Sequence, residues 1–182
     1  MEQTTDLFIE QLRKGNRAAC QRLVGDFGPA VFQMVRRIVE RQEDAEEVWQ
    51  NVFVKALRGI GGYDRQKASL STWLCRIAYN ESVNFVRRRH PDIIYMDNHE
   101  LGLISLDETP EENATDSHTV QALEEALEML PPHEQAVITM FYYDNMSLAD
   151  IAYVTGSIPS TVGSQLSRIR KKLYRIIKSM HG

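Results

Sequence analysis

Basic residues are missing from one long stretch of this chain. Residues 91–128 carry no Lys or Arg but 11 Asp or Glu. A run of one charge sign that also holds Pro91 and Pro110 cannot bury enough apolar surface to fold by itself, so 91–118 reads as an acidic linker. Cysteine is scarce too. Cys20 and Cys75 lie far apart and fit no metal spacing, which excludes a disulfide framework and leaves two buried free thiols as the expectation. No apolar run reaches the length of a membrane span, and the N-terminus lacks the basic-then-apolar pattern of a signal peptide. A soluble cytoplasmic protein without membrane insertion is expected. Alternation of apolar and polar residues with period two is almost absent, which argues against sheets and for an all-α chain. The five histidines are scattered, and there is no H-E-x-x-H, phosphate loop or nucleophile elbow. No catalytic residue, metal or cofactor is expected, so an enzyme is the least favoured class.

What is present is two basic blocks around that acidic stretch. The chain has 182 residues, room for one or two small domains, and 43% hydrophobic content, enough for globular cores. Its net charge of −4 argues at first against a nucleic-acid partner. The distribution reverses this, because residues 1–90 are net +4 and residues 129–182 net +3.

Helical periodicity divides the basic blocks further. A short helix over 5–14, capped near Thr5, ends at Gly15. Asn16 caps a second, which Gly28-Pro29 should break after Phe27. Ala30–Glu40 is a third. Asp44 caps a fourth, running to about Arg58, with Val48, Trp49, Val52, Phe53, Ala56 and Leu57 as its apolar residues. Residues 59–70 form a glycine-containing loop, and Ser69 or Ser71 caps a long helix to about His90. After the linker come helices over Thr119–Leu130 and from Pro131-Pro132 to Tyr143. The expected architecture is two small helical domains, 1–90 and 119–182, joined by the flexible linker at 91–118.

The last segment carries the sharpest local signal. Ser147 caps a short helix, with Asp150 completing a capping box. Gly156 stands where a helix ends in a left-handed residue, and Pro159 suits the first turn of the next helix. Val162, Leu166, Ile169 and Leu173 then make one apolar face. This is the layout of a helix-turn-helix, which places its second helix in the DNA major groove. Ser160, Thr161, Ser164, Gln165, Arg168, Lys171 and Lys172 supply the hydroxyls, amide and cations that bind phosphates and base edges. The plain alternative is an amphipathic helix pair with a solvated basic face.

The first block holds a second polar stripe. Arg76, Asn80, Val83/Asn84 and Arg87 recur at helical spacing opposite Leu70, Leu74, Ile77 and Ala78. Arg87, Arg88 and Arg89 end that helix and suit phosphate contacts. Asparagine is a poor helix former, so two on one exposed face suggest a role beyond folding. Tyr63 and Trp73 flank the glycine loop, and aromatics beside cations suit unstacked bases. For Trp73 a place in the core is the favoured reading.

D-A-E-E-V-W-Q-N-V-F at 44–53, T-W-L-C-R-I-A-Y-N-E-S-V-N-F-V-R-R-R at 72–89, Leu130-Pro131 and the C-terminal motif together resemble a bacterial sigma factor of the small extracytoplasmic-function group. The resemblance spans about 1–90 and 120–180. It implies that the first block is region 2 and the second region 4, which bind core RNA polymerase and recognise the two promoter elements. On it, Tyr63, Arg76, Asn80, Asn84, Arg87 and Arg88 capture the melted upstream −10 element, and the seven polar residues of the last helix read the −35 element. Glu47, Gln50, Asn51, Val54 and Lys55 face the β′ clamp, and region 4 docks on the β flap. An anti-sigma protein is an implied partner.

Four positions depart from the family's pattern. Asn51 stands where Glu is usual and Asn84 where Asp is usual. Gly163 and Gln165 stand where Lys and Arg are usual, which removes two cations and, at Gly163, costs up to about 1 kcal/mol of helix propensity. Gln165 retains the geometry to read adenine. Region 4 is therefore expected to bind its element weakly or with an unusual preference. The competing reading is a dimeric helix-turn-helix regulator that is not a polymerase subunit, although the first block shows no α/β receiver pattern. A helical adaptor leaves both basic stripes unexplained.

Overall fold

The computed structural model describes residues 2–89 and 117–180, and every regular element among them is a helix. Four helices, α1 (Glu2–Arg13), α2 (Arg17–Arg36), α3 (Gln42–Gly59) and α4 (Leu70–Arg89), form the first module, with a 3-10 turn at Ile60–Gly62. Four more, α5 (Ser117–Glu128), α6 (Pro132–Tyr142), α7 (Leu148–Thr155) and α8 (Pro159–Met180), form the second. Apart from Ser117 and His118, which open α5, the expected linker lies outside the described residues.

In the first module α2, α3 and α4 pack on one another, and α1 closes over α2. Ala45, Val48, Val52, Phe53 and Ala56 of α3 repeat at helical spacing and meet Leu23, Val31 and Val35 of α2 and Leu74 and Ala78 of α4 in one buried cluster. In the second module α8 buries Val162, Leu166, Ile169 and Leu173 against α5, α6 and α7. The two modules touch through α4 and α7.

Several expected boundaries change. Helix α1 begins at Glu2, so Thr5 lies inside it. Gly28-Pro29 do not break α2, which runs through Pro29 to Arg36. Tertiary packing holds the helix at this point. The Trp49 indole N–H donates to the Gly28 carbonyl at 3.0 Å, and its ring fills the space where a Cβ at residue 28 would sit 3.3 Å from it. Helix α3 starts before Asp44, with Arg41 at its N-cap and no side-chain cap bond. Asp44 instead lies in the first turn, where a carboxylate favours the helix dipole. Ser69, not Ser71, caps α4, accepting from the Thr72 amide at 3.1 Å.

Candidate nucleic-acid and protein interfaces

The helix-turn-helix forms as its residues dictate. The Ser147 hydroxyl oxygen accepts from the Asp150 amide at 3.1 Å and its hydrogen is donated to the Asp150 carboxylate at 2.6 Å. Gly156 ends α7 at φ +75°, the left-handed conformation that a side chain disfavours. Pro159 opens α8. With Val162, Leu166, Ile169 and Leu173 inward, helical spacing puts Ser160, Ser164, Arg168 and Lys171 on the outward face. Thr161 lies beside them. Arg175 continues the same line and is exposed, a residue that the fourfold spacing from Lys171 could have added.

Gln165 and Lys172 belong elsewhere. They flank the buried stripe, and Lys172 Nζ pairs with the Glu134 carboxylate of α6 at 2.9 Å. In this arrangement Lys172 ties α8 to α6 instead of pointing at a phosphate, a correction to its expected role. Gly163 sits on the opposite flank, where an added Cβ would meet nothing closer than Leu148 Cδ1 at 3.9 Å.

The polar stripe on α4 is also real as geometry. Arg76, Asn80, Asn84 and Arg87 fall on one side of the helix, opposite buried Leu74 and Ala78. Asn80, Arg87 and Arg88 are exposed. The Asn84 side-chain carbonyl accepts from the Arg87 guanidinium at 2.8 Å, and Arg88 Nε donates to the Asn84 backbone carbonyl at 3.3 Å. Arg76 is covered by the second module, its guanidinium carbon 4.6 Å above the Tyr153 ring of α7.

Tyr63 corrects the expectation. It is only 6% exposed, packs against Trp73 with ring centroids 5.4 Å apart, and donates its hydroxyl to the Ala68 carbonyl at 3.1 Å. Burial pushes its phenol pKa above the usual value. It closes the 63–68 loop and presents no ring for a base to stack on.

Helix α3 presents a third surface. Glu47, Gln50, Asn51, Val54 and Lys55 are all exposed, on the side away from Val48, Val52 and Ala56. Val54 is 46% exposed, an apolar centre in a polar rim. Lys55 pairs with Glu81 of α4 at 2.6 Å, and Asp44 pairs with Arg89 at 2.6 Å. The α3 face and the α4 stripe are thus carried by one tied helix pair. Among the described residues there is no group of His, Cys, Asp and Glu that could hold a metal, and no helix long and apolar enough to cross a membrane.

Known proteins share this pattern. Residues 23–91 match the sigma-70 region 2 family and residues 120–173 match sigma-70 region 4. The chain is 30% identical to the ECF RNA polymerase sigma-E factor of Haemophilus influenzae, covering 98% of both chains. It is 25% identical to the ECF RNA polymerase sigma factor SigW of Bacillus subtilis, covering 99% of this chain and all of that one. Among solved structures, CnrH in complex with the cytosolic domain of CnrY shares the fold, with a TM-score of 0.65 at 22% identity over 95% of this chain and 96% of that one. This chain therefore belongs to the extracytoplasmic-function group of the sigma-70 family, the factors that direct core RNA polymerase to promoters.

Proposed function

We propose that the three surfaces divide the work of promoter recognition. The outer face of α3, with Glu47, Gln50, Asn51, Val54 and Lys55, docks on the clamp of the polymerase β′ subunit. The α4 stripe, with Arg76, Asn80, Asn84, Arg87 and Arg88, captures bases of the melted −10 element. Helix α8 reads the −35 element through Ser160, Thr161, Ser164, Arg168 and Lys171, while the second module sits on the β flap. In this division residues 1–90 act as region 2, 119–182 as region 4, and 91–118 as the tether between them. Tethering raises the effective concentration of the second DNA contact once the first is made.

The observation that carries this reading is the α3–α4 pair. One helix offers an exposed face with an apolar centre, the other a cationic amide-bearing stripe, and two ion pairs bind them together. Protein docking and strand capture need such surfaces side by side. Opening of the duplex then comes from trapping unstacked bases, without covalent chemistry and without a catalytic residue. The protein works in the cytoplasm beside the polymerase. An anti-sigma partner is part of the proposal, since a solved relative of similar fold, RpoE of Bartonella quintana, is recorded with the anti-sigma factor NepR.

Purified chain and core polymerase should co-elute in gel filtration and start transcripts from defined promoters. Asn51→Arg or Val54→Asp should lose co-elution. Asn80→Ala should keep co-elution but lose promoter opening, read by permanganate reactivity of unpaired thymines. Failure to form any holoenzyme overturns the reading.

A further inference from the structure

The N-terminal end of α8 breaks two local rules at one residue. The Ile158 carbonyl accepts the first bond of α8, from the Val162 amide at 3.1 Å, which makes Ile158 the N-cap of that helix. An N-cap favours Ser, Thr, Asp or Asn, whose side-chain oxygen takes up a free helix amide, and isoleucine has no such oxygen. The Ile158 side chain is also 62% exposed, so packing returns little for the lost cap. The neighbouring hydroxyl, Ser157, is engaged backwards, sharing a hydrogen bond with Thr155 of α7 at 2.9 Å. A residue that serves neither the cap nor the core marks a place where the chain gives up local stability for an outside contact.

The turn holds this side chain in place. The Gly156 and Ser157 amides both donate to the Ala152 carbonyl, and Pro159 fixes the next φ. Ile158 and Pro159 stand as an exposed apolar pair directly ahead of Ser160 and Thr161, with Arg168 and Lys171 further along the helix. In a helix-turn-helix the N-terminal residues of the second helix meet the base edges. The small hydroxyl side chains at 160, 161 and 164 let the helix approach closely, and the cations hold phosphates. Every base pair offers hydrogen-bonding groups in the major groove, but the groove has only one apolar group, the C5-methyl of thymine. A branched aliphatic side chain at the leading end of the reading helix matches that group and no other. The other large apolar residues exposed on α8, Tyr174 and Met180, lie at its far end.

We propose that Ile158 reads a thymine of the −35 element by packing its side chain on the C5-methyl group, an apolar contact beside the polar ones of α8. This rests on the proposed reading of that element by α8 and goes beyond it in naming the base and the group recognised. The contact carries no charge, so it sets sequence preference and leaves the salt dependence of binding where it was.

The test uses holoenzyme assembled from the full chain and core polymerase. Its probe is a duplex from a promoter it transcribes, ending just upstream of the −10 element, with each thymine of the −35 element replaced in turn by deoxyuridine. Deoxyuridine keeps the pairing and the groove hydrogen-bonding groups of thymine and lacks only the methyl. At one position this should weaken binding about threefold to fivefold, the scale of burying one methyl group. Ile158→Ser should bind the thymine duplex more weakly by a similar factor and lose nothing further with deoxyuridine there, while Ile158→Val should keep the discrimination. Ile158→Ser also supplies the missing cap oxygen, so it should melt no lower than the unmodified chain by circular dichroism, which separates lost reading from lost folding. Ile158→Asn replaces it should it melt lower. If deoxyuridine weakens binding at no thymine, or weakens the Ile158→Ser holoenzyme equally, the inference is overturned. Arg168→Ala tests the reading beneath it. If Arg168→Ala lowers affinity while Ile158→Ser keeps the full deoxyuridine penalty, only the methyl contact falls. If Arg168→Ala leaves binding and its salt dependence unchanged, the assignment of α8 to the −35 element falls, and the methyl contact with it.

Discussion

Helices α4 and α8 are both long, both cationic and both proposed to bind DNA, yet they are built differently. Helix α4 spans 20 residues and packs against α2, α3 and α7, and its buried residues Leu70, Thr72, Leu74, Ala78, Ser82 and Phe85 cover a wide arc of its surface. Helix α8 spans 22 residues and buries a single stripe of four. A helix that is also the pillar of its module has little surface to spend on a ligand, and the polar stripe of α4 is narrow. A one-sided helix keeps a broad outward face, on which composition can drift without disturbing the fold. Gly163 and Gln165 lie beside the buried stripe, and neither is among the residues that α8 buries.

The strongest way to break the contrast is at the pillar. Leu74 is fully buried, and Leu74→Ala should cost about 2–5 kcal/mol. Both tryptophans, Trp49 and Trp73, belong to the first module, so urea unfolding followed by fluorescence should show the loss directly. A next, smaller effect concerns the support of α8. Gly156→Ala forces a side chain to φ +75° and should destabilise the second module by about 1 kcal/mol, although nothing crowds its Cβ. Ser147→Ala, which removes the α7 cap, should cost about 1 kcal/mol as well. Circular dichroism melts check both.

On α8 itself the sign reverses. Gly163→Ala has room for its methyl and should stabilise by up to about 1 kcal/mol. Gly163→Lys should add a phosphate contact, raising −35 affinity and steepening its salt dependence by about one unit of log slope. Arg168→Ala and Lys171→Ala should each flatten that slope by about one unit, and Lys172→Ala by less, because Glu134 holds it. Fluorescence anisotropy over a salt series measures all four.

The smallest effect is set by His133. Burial lowers its pKa in the folded chain. The unfolded chain then binds the extra proton between the lowered value and about 6.5, so stability rises with pH across that window and is lost on acidification. The second module should melt at lower temperature at pH 5.5 than at pH 7.5, and His133→Gln should reduce the difference.

Much of the second module could be read directly, because its grammar is local. Ser147, Gly156 and Pro159 each act on their own or a neighbouring residue. That α3 has an exposed polar side was legible for a related reason, since a helix with one apolar side has only one other side to offer; the choice of residues on it came from the family resemblance. What escaped depended on distance along the chain. Pro29 reads as a breaker until Trp49, 21 residues later, bonds the Gly28 carbonyl. Tyr63 looks available for stacking until the loop folds its hydroxyl onto Ala68. Lys172 reads as a phosphate ligand until Glu134 meets it. The Arg37–Asp144 pair joins residues separated by 107 positions and has no local signature.

The ties between α3 and α4 have one more consequence. Packed helices sit about 8–10 Å apart, and Lys55–Glu81 and Asp44–Arg89 tie the two ends of α3 to the C-terminal half of α4. On the proposed assignment, the offset between the docked polymerase face and the captured strand is a fixed gauge, one helix pair thick. The start of melting is then measured from the enzyme by a rigid spacer, while the reach to the −35 element is left to the tether. Changing the tether's length should shift the tolerated promoter spacing and leave the position of the bubble where it was.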